Sequence, residues 1–178
     1  MHYRVLFGFY GVMLLISLGL GFGFDLFATT PSWLSSFDTQ ASLLAFLVAL
    51  SGAILMLWLS DKVSFLRELY DELSGALPER DFKWNVSAGI ASGFAEEFAF
   101  RGVALALVGP YWSSLLFGLL HIGWKRSMWV WPIYAALIGW ALAYFTQLTG
   151  SIWAAVVFHA VYNTVLLQAM GTGLGDRK

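Results

Sequence analysis

Residues 86–108 read VSAGIASGFAEEFAFRGVALALV, and they pose the problem the rest of the chain must solve. The run is long and apolar enough to cross a bilayer, which takes about 20 such residues. Yet Glu96, Glu97 and Arg101 lie in its middle. A charged side chain at the bilayer centre costs about 2.5–3.5 kcal/mol on insertion scales. Three of them within six residues must be paired, wetted or used. Between Trp84 and Trp124 no other residue carries a formal charge.

The whole chain shares this character. Its 178 residues are 59% hydrophobic and 12% charged, with a mean hydropathy of +0.72. A soluble domain carries about 25% charged residues. The chain therefore reads as all-α, a polytopic transmembrane helix bundle. It divides as a single membrane domain over 1–178: two N-terminal spans in 1–60, a cytoplasmic connector in 61–85 and a core in 86–170 that holds the polar residues. The net charge of −1 says nothing about nucleic acid, and no basic stretch suggests such a partner. The absence of cysteine excludes disulfides, thiolate nucleophiles and cysteine metal ligands.

Six apolar segments qualify as spans: Val5–Phe27, Ala41–Leu59, Val86–Val108, Tyr111–Gly123, Met128–Gln147 and Ile152–Met170. The first exceeds the 7–15 or so residues of a signal-peptide h-region and has no A-x-A-like site after it, so it reads as retained. The fourth is short, and Pro110 marks its start, where a missing N–H costs least. With six spans, every Lys and Arg except Arg101 falls on one side: Arg4, then Lys62, Arg67, Arg80 and Lys83, then Lys125 and Arg126, then Arg177 and Lys178. The positive-inside rule makes that side, with both termini, cytoplasmic. Trp33, Trp84, Trp112, Trp124 and Trp129 fall near span ends, as interfacial aromatics do. In the connector, Val63, Leu66, Leu69, Tyr70, Leu73 and Leu77 recur at helical spacing, which predicts an interfacial amphipathic helix. Gly19/Gly23 and Gly89/Gly93 form small-xxx-small pairs suited to close helix packing.

Within the 86–108 helix, Glu97 and Arg101 are four apart and share a face, so they predict an ion pair. Glu96 is rotated about 100° away. One carboxylate is thus structural and the other available. Later spans add His121, and His159 with Asn163 one turn on. A carboxylate beside a histidine can take a proton from water. A second His and an Asn amide can donate hydrogen bonds to an oxyanion. This is peptide hydrolysis by activated water, without a covalent intermediate. The same Glu, His and His could instead ligate zinc, and spacing alone leaves both readings open.

The ordered set Glu96-Glu97-Phe-Ala-Phe-Arg101, Phe117-Gly-Leu-Leu-His121 and His159-Ala-Val-Tyr-Asn163 resembles the CPBP family, also called the Abi or CAAX protease family. The resemblance spans roughly Val86 to Met170. It implies an intramembrane endopeptidase in which Glu96 activates water with help from His121, while His159 and Asn163 stabilise the oxyanion. Glu97, Arg101 and Phe117 take supporting roles. It implies a glutamic-type enzyme with no metal or other cofactor, although zinc is a stated alternative for the family. The partners implied are the bilayer and a membrane-associated or C-terminally tagged peptide or protein; bacterial relatives are tied to bacteriocin maturation and immunity. A non-catalytic binding or immunity protein of the same fold is the other expectation. The chain is shorter than CAAX-processing members with eight spans, which argues against a prenylated substrate. The setting implied is the cytoplasmic membrane of a bacterium or archaeon.

Overall fold

A computed structural model describes residues 3–29, 36–77, 81–123 and 125–171. Among them there are helices and no strands. In chain order they are α1 (Tyr3–Gly23), α2 (Leu26–Thr29), α3 (Thr39–Ser60), α4 (Ser64–Ala76), α5 (Phe82–Glu97), a π-helix (Phe98–Ala104), α6 (Leu105–Leu119), a 3-10 turn (Arg126–Trp129), α7 (Val130–Thr149) and α8 (Trp153–Gly171). Local chemistry fixes several ends. Asp38 caps α3 by accepting from the Ala41 amide at 3.0 Å, and Asp81 caps α5 by accepting from the Trp84 amide at 2.7 Å. Gly150, at φ 64°, closes α7 in the left-handed conformation that favours glycine.

Five helices are long and apolar enough to cross a membrane, where the sequence predicts six segments. The difference lies in Phe82–Leu119, which is continuous over 38 residues but turns at Gly109 (φ 78°, ψ 175°). That conformation is open to glycine and closed to most side chains. Pro110 follows and restarts the helix without the amide that would be orphaned there. The chain reverses at this point. The Phe100 ring lies 5.1 Å from the Phe117 ring, and His121 returns to within 3.8 Å of Glu96. Counted at this reversal, five helices make six passes. The fourth pass stays short, ending at Leu119 rather than Gly123.

The passes alternate in direction. Asn85 bonds Gln168 and Asn163 bonds Ser92, so α5 and α8 run antiparallel. Tyr111 stacks on Trp140 while Gly118 abuts Pro132 and Ala136, so α6 and α7 do too. In α1, Leu6 packs with Trp84 and Leu14 with Phe98 and Val103, parallel to α5. Phe37 meets Trp153, and Ala49 and Ala53 meet Tyr162, so α3 runs with α8. Arg4, Lys62, Arg67, Lys83, Lys125 and Arg126 consequently share one end of the bundle. Arg80, Arg177 and Lys178 lie outside the described residues.

The α5–α8 contact sits at the centre. A Cβ on Gly93 would fall 2.7 Å from the Ala160 amide nitrogen, and one on Gly89 would fall 2.8 Å from the Ala160 carbonyl oxygen. Backbones approach this closely only where side chains are absent. The Gly19/Gly23 pair differs: neither has a neighbour within 4 Å of an added Cβ, so it mediates no packing among the described residues. The first span is also shorter than expected. It stops at Gly23 and turns through Asp25 (φ 56°) into α2, where Phe27 folds back on Gly21 and Phe22. Trp112 and Trp129 are exposed, as interfacial anchors are, but Trp84 is buried in the core, because α1 and the end of α4 cover it. Trp33 and Trp124 lie outside the described residues.

The amphipathic connector forms α4, whose apolar face turns onto the cationic end of the bundle. Leu69 is buried there. Arg67 donates to the Ser60 and Asp61 carbonyls, Ser74 to the Met170 carbonyl, and Glu72 pairs with Lys125. Helix α4 thereby roofs the space between the spans.

Candidate active site

Glu96 and Glu97 end α5 and the π-helix starts at the next residue. π-turns inside α-helices recur at functional sites, where the wider turn re-aims side chains. The two acids diverge as adjacent helical residues must. The Glu97 side chain has no exposure and that of Glu96 has 11%, so Glu96 is the less enclosed of the two.

Glu97 is held from two sides through one oxygen. Its Oε1 accepts from Arg101 Nη1 at 2.9 Å and from His159 Nδ1 at 2.7 Å. The Arg101 guanidinium also lies 4.4 Å above the Phe117 ring centroid, a cation–π contact in a site without bulk water. Phe117 itself packs edge-on against His159 at 5.9 Å and beside His121 at 4.6 Å. Arg101 is thus compensated, and Phe117 spaces the two imidazoles.

Hydrogen placement on both histidines follows from their partners. His121 Nδ1 lies 2.7 Å from the Phe117 carbonyl oxygen, which can only accept, so Nδ1 carries the proton. His159 Nδ1 faces a carboxylate oxygen already shared with a guanidinium, and the same logic applies. In its neutral form each ring then presents an Nε2 lone pair. Both Nε2 atoms point at Glu96 Oε2, His121 from 3.8 Å and His159 from 3.7 Å. These distances are too long for direct hydrogen bonds.

Asn163, one turn beyond His159, donates from Nδ2 to Ser92 Oγ at 3.0 Å, and Ser92 donates on to the Gly89 carbonyl at 3.1 Å. The amide has two N–H bonds, and Ser92 takes one. Ser92 thus bonds its own helix, as expected of a serine in an apolar helix.

A cavity of about 630 Å³ opens from this cluster toward the cationic end of the bundle. Its inner wall carries His121, His159, Asn163 and Ser92, its sides are apolar, and α4 covers it with Leu66, Leu69 and Leu73. Among the described residues no group of three or more His, Cys, Asp or Glu side chains is arranged to hold a metal ion. All seven residues singled out in the sequence therefore meet: Phe117, His121, His159 and Asn163 line the inner end of the cavity, with Glu96, Glu97 and Arg101 behind them.

Two features escape the sequence reading. Tyr10 in α1 donates to Glu96 Oε1 at 3.2 Å, across 86 positions of sequence. Tyr134 and Tyr162 join hydroxyls at 2.5 Å on the cavity wall and tie α7 to α8. Leu6 and Tyr10 share a helical face, a weak sign that it is buried, but nothing local names the partner.

Fold and site together define a helix-bundle membrane protein with a buried acid–imidazole centre. The model of the type II CAAX prenyl endopeptidase Rce1-like family matches residues 79–165, a stretch containing every one of those seven residues. Over that stretch the chain is similar to this family of membrane-embedded CPBP/CAAX proteases. Neither a curated protein nor a solved structure matches the chain.

Proposed function

We propose that the protein is a glutamic-type intramembrane endopeptidase that hydrolyses a peptide bond with water activated by Glu96. The convergence of His121 Nε2 and His159 Nε2 on Glu96 Oε2 carries this reading. A water between these atoms gives its proton to Glu96, with the His121 lone pair holding the second O–H. The resulting hydroxide attacks the scissile carbonyl carbon. The oxyanion that forms receives the second N–H of Asn163, and the N–H of His159 Nε2 when that ring is an imidazolium. Collapse breaks the C–N bond, and Glu96 returns its proton to the leaving amine. Atoms balance with one water consumed, and no metal takes part.

Glu97 and Arg101 serve this chemistry indirectly. They fix His159 through Nδ1, as a carboxylate fixes the imidazole in a serine-protease triad. The mostly apolar cavity suits a membrane-associated peptide, or a protein presenting a hydrophobic C-terminal tag. By the positive-inside rule the cavity mouth and both termini face the cytoplasm, and the family resemblance implies a bacterial or archaeal cell.

The test is expression of wild type and Glu96→Gln in a host membrane, with mass-spectrometric mapping of new peptide ends. Ends present with wild type and missing with Glu96→Gln are expected. Ends that persist with Glu96→Gln rule out the general base. A chelator such as 1,10-phenanthroline should leave cleavage intact; loss restored by zinc would replace this mechanism with a metal-dependent one.

A further inference from the structure

Glu96 lacks the partner that neutralises its neighbour. Arg101 is committed to Glu97, and both imidazoles stand beyond hydrogen-bond reach. Among the described residues one side chain donates to the Glu96 carboxylate, the Tyr10 hydroxyl, at 3.2 Å on Oε1. The other oxygen, Oε2, has no hydrogen-bond partner there. The two oxygens are thus inequivalent, one held and one aimed at His121 and His159.

The Tyr10 ring is well seated for such a role. It packs edge-to-face on Phe9 at 5.2 Å and against the cluster of Leu6, Trp84 and Ala88. Both Tyr10 and the imidazoles face the cavity, so the hydroxyl sits on the rim of the space that receives the peptide. A carboxylate whose terminal torsion is free turns broadly, because sp³–sp² torsions have shallow wells. A donor on one oxygen removes that freedom, and a hydrogen bond to a charged acceptor is stronger than one between neutral groups.

We propose that Tyr10 is a positioning residue of this site, its hydroxyl holding Oε1 of Glu96 so that Oε2 stays aimed at the two imidazoles. Helix α1, which lies outside the family-matched residues 79–165, then completes the catalytic apparatus. The role rests on Glu96 being the base, and the two ideas can fail separately.

Tyr10→Phe removes one oxygen and keeps the packing. The chain has five glutamates, Glu68, Glu72, Glu79, Glu96 and Glu97, so [5-13C]glutamate labelling gives five carboxyl resonances, and Glu96→Gln identifies one. In Tyr10→Phe that resonance should move while that of Glu97 stays. The reciprocal measurement keeps the native tyrosine: with [13Cζ]tyrosine, Glu96→Gln should shift the Tyr10 signal. On a membrane peptide that wild type cleaves and Glu96→Gln does not, Tyr10→Phe should lower kcat about tenfold at unchanged KM, the scale of one hydrogen bond to a charged group. Unmoved resonances, or kcat equal to wild type, overturn the role of Tyr10 and leave Glu96 as base. Cleavage by Glu96→Gln itself would instead overturn the reading on which that role rests.

Discussion

Glu97 Oε1 and His159 Nδ1 lie 2.7 Å apart, although 62 residues separate them in sequence. The contact joins α5 to α8 at the depth where the catalytic groups collect, and it gives the two adjacent glutamates opposite duties. Glu97 has no exposed surface and shares its oxygen with Arg101; Glu96 keeps 11% of its side-chain surface and, among the described residues, has no lysine or arginine within ion-pair distance.

That division separates stability from activity. Glu97→Ala leaves the Arg101 guanidinium buried and uncompensated, and breaking such a pair costs about 3–5 kcal/mol. Thermal unfolding in detergent micelles should show a large fall in Tm. Glu96→Gln removes a buried charge that has no cationic partner, so it should melt no lower than wild type while cleavage is lost. Equal melting of the two variants would show that the adjacent acids are not distinguished in this way.

The Gly93–Ala160 approach makes a second demand. Alanine is favoured over glycine within a helix by about 1 kcal/mol. At Gly93 its Cβ would meet the Ala160 nitrogen at 2.7 Å, and a backbone atom cannot swing aside. Overpacking of this kind costs about 1–3 kcal/mol and outweighs the gain. Gly93→Ala should therefore lower Tm and also kcat, because the same contact sets the spacing between Glu97 and His159. A Gly93→Ala protein as active and stable as wild type would mean that α5 and α8 need not meet so closely.

These two predictions draw on parts of the molecule that differ in legibility. The Glu97–Arg101 pair was readable because it depends on four residues of helical rise and nothing else. The reversal at Gly109-Pro110 was readable from two residues that punctuate helices, and the lysine and arginine pattern made sense only with that extra pass. The π-helix over Phe98–Ala104 was not, since a wide turn is chosen by what packs around it rather than by its own residues. Tyr10 was not, because its partner is on another helix and its own neighbours are merely apolar. Burial of Trp84 was missed for a similar reason: tryptophan near a span end usually meets headgroups, and here α1 covers it.

Membrane orientation is open to direct measurement because the chain has no cysteine. Single cysteines at exposed positions report which side each end faces. With the cationic end cytoplasmic, Asp71→Cys in α4 should resist a membrane-impermeant maleimide in intact cells and react after permeabilisation. Phe37→Cys and Tyr111→Cys, at the opposite end, should react in intact cells. The reverse pattern would invert the protein and place the cavity mouth outside. Labelling of Phe37→Cys and Tyr111→Cys from different sides would contradict the reversal at Gly109.

Gly139 in α7 tests how tightly Arg101 must be held. A Cβ there would stand 3.0 Å from Arg101 Nη2 and 3.0 Å from Phe117 Cδ1. Those atoms belong to the guanidinium over the ring, so one methyl group pushes on both halves of the cation–π contact. Arg101 must shift its guanidinium, whose Nη1 is tied to Glu97, and Glu97 orients His159. The displacement therefore passes along a chain of contacts to the imidazole that faces Glu96. Small misplacements of reacting groups cost orders of magnitude in rate. Gly139→Ala should lose about 1–3 kcal/mol of stability and lose kcat by at least about tenfold, with KM little changed, since Gly139 lies outside the cavity wall. Gly19→Ala is the matched control, because an added Cβ there has nothing within 4 Å. If both substitutions leave peptide turnover alike, the guanidinium has room to spare and the chain of contacts from Arg101 to His159 does not limit the rate.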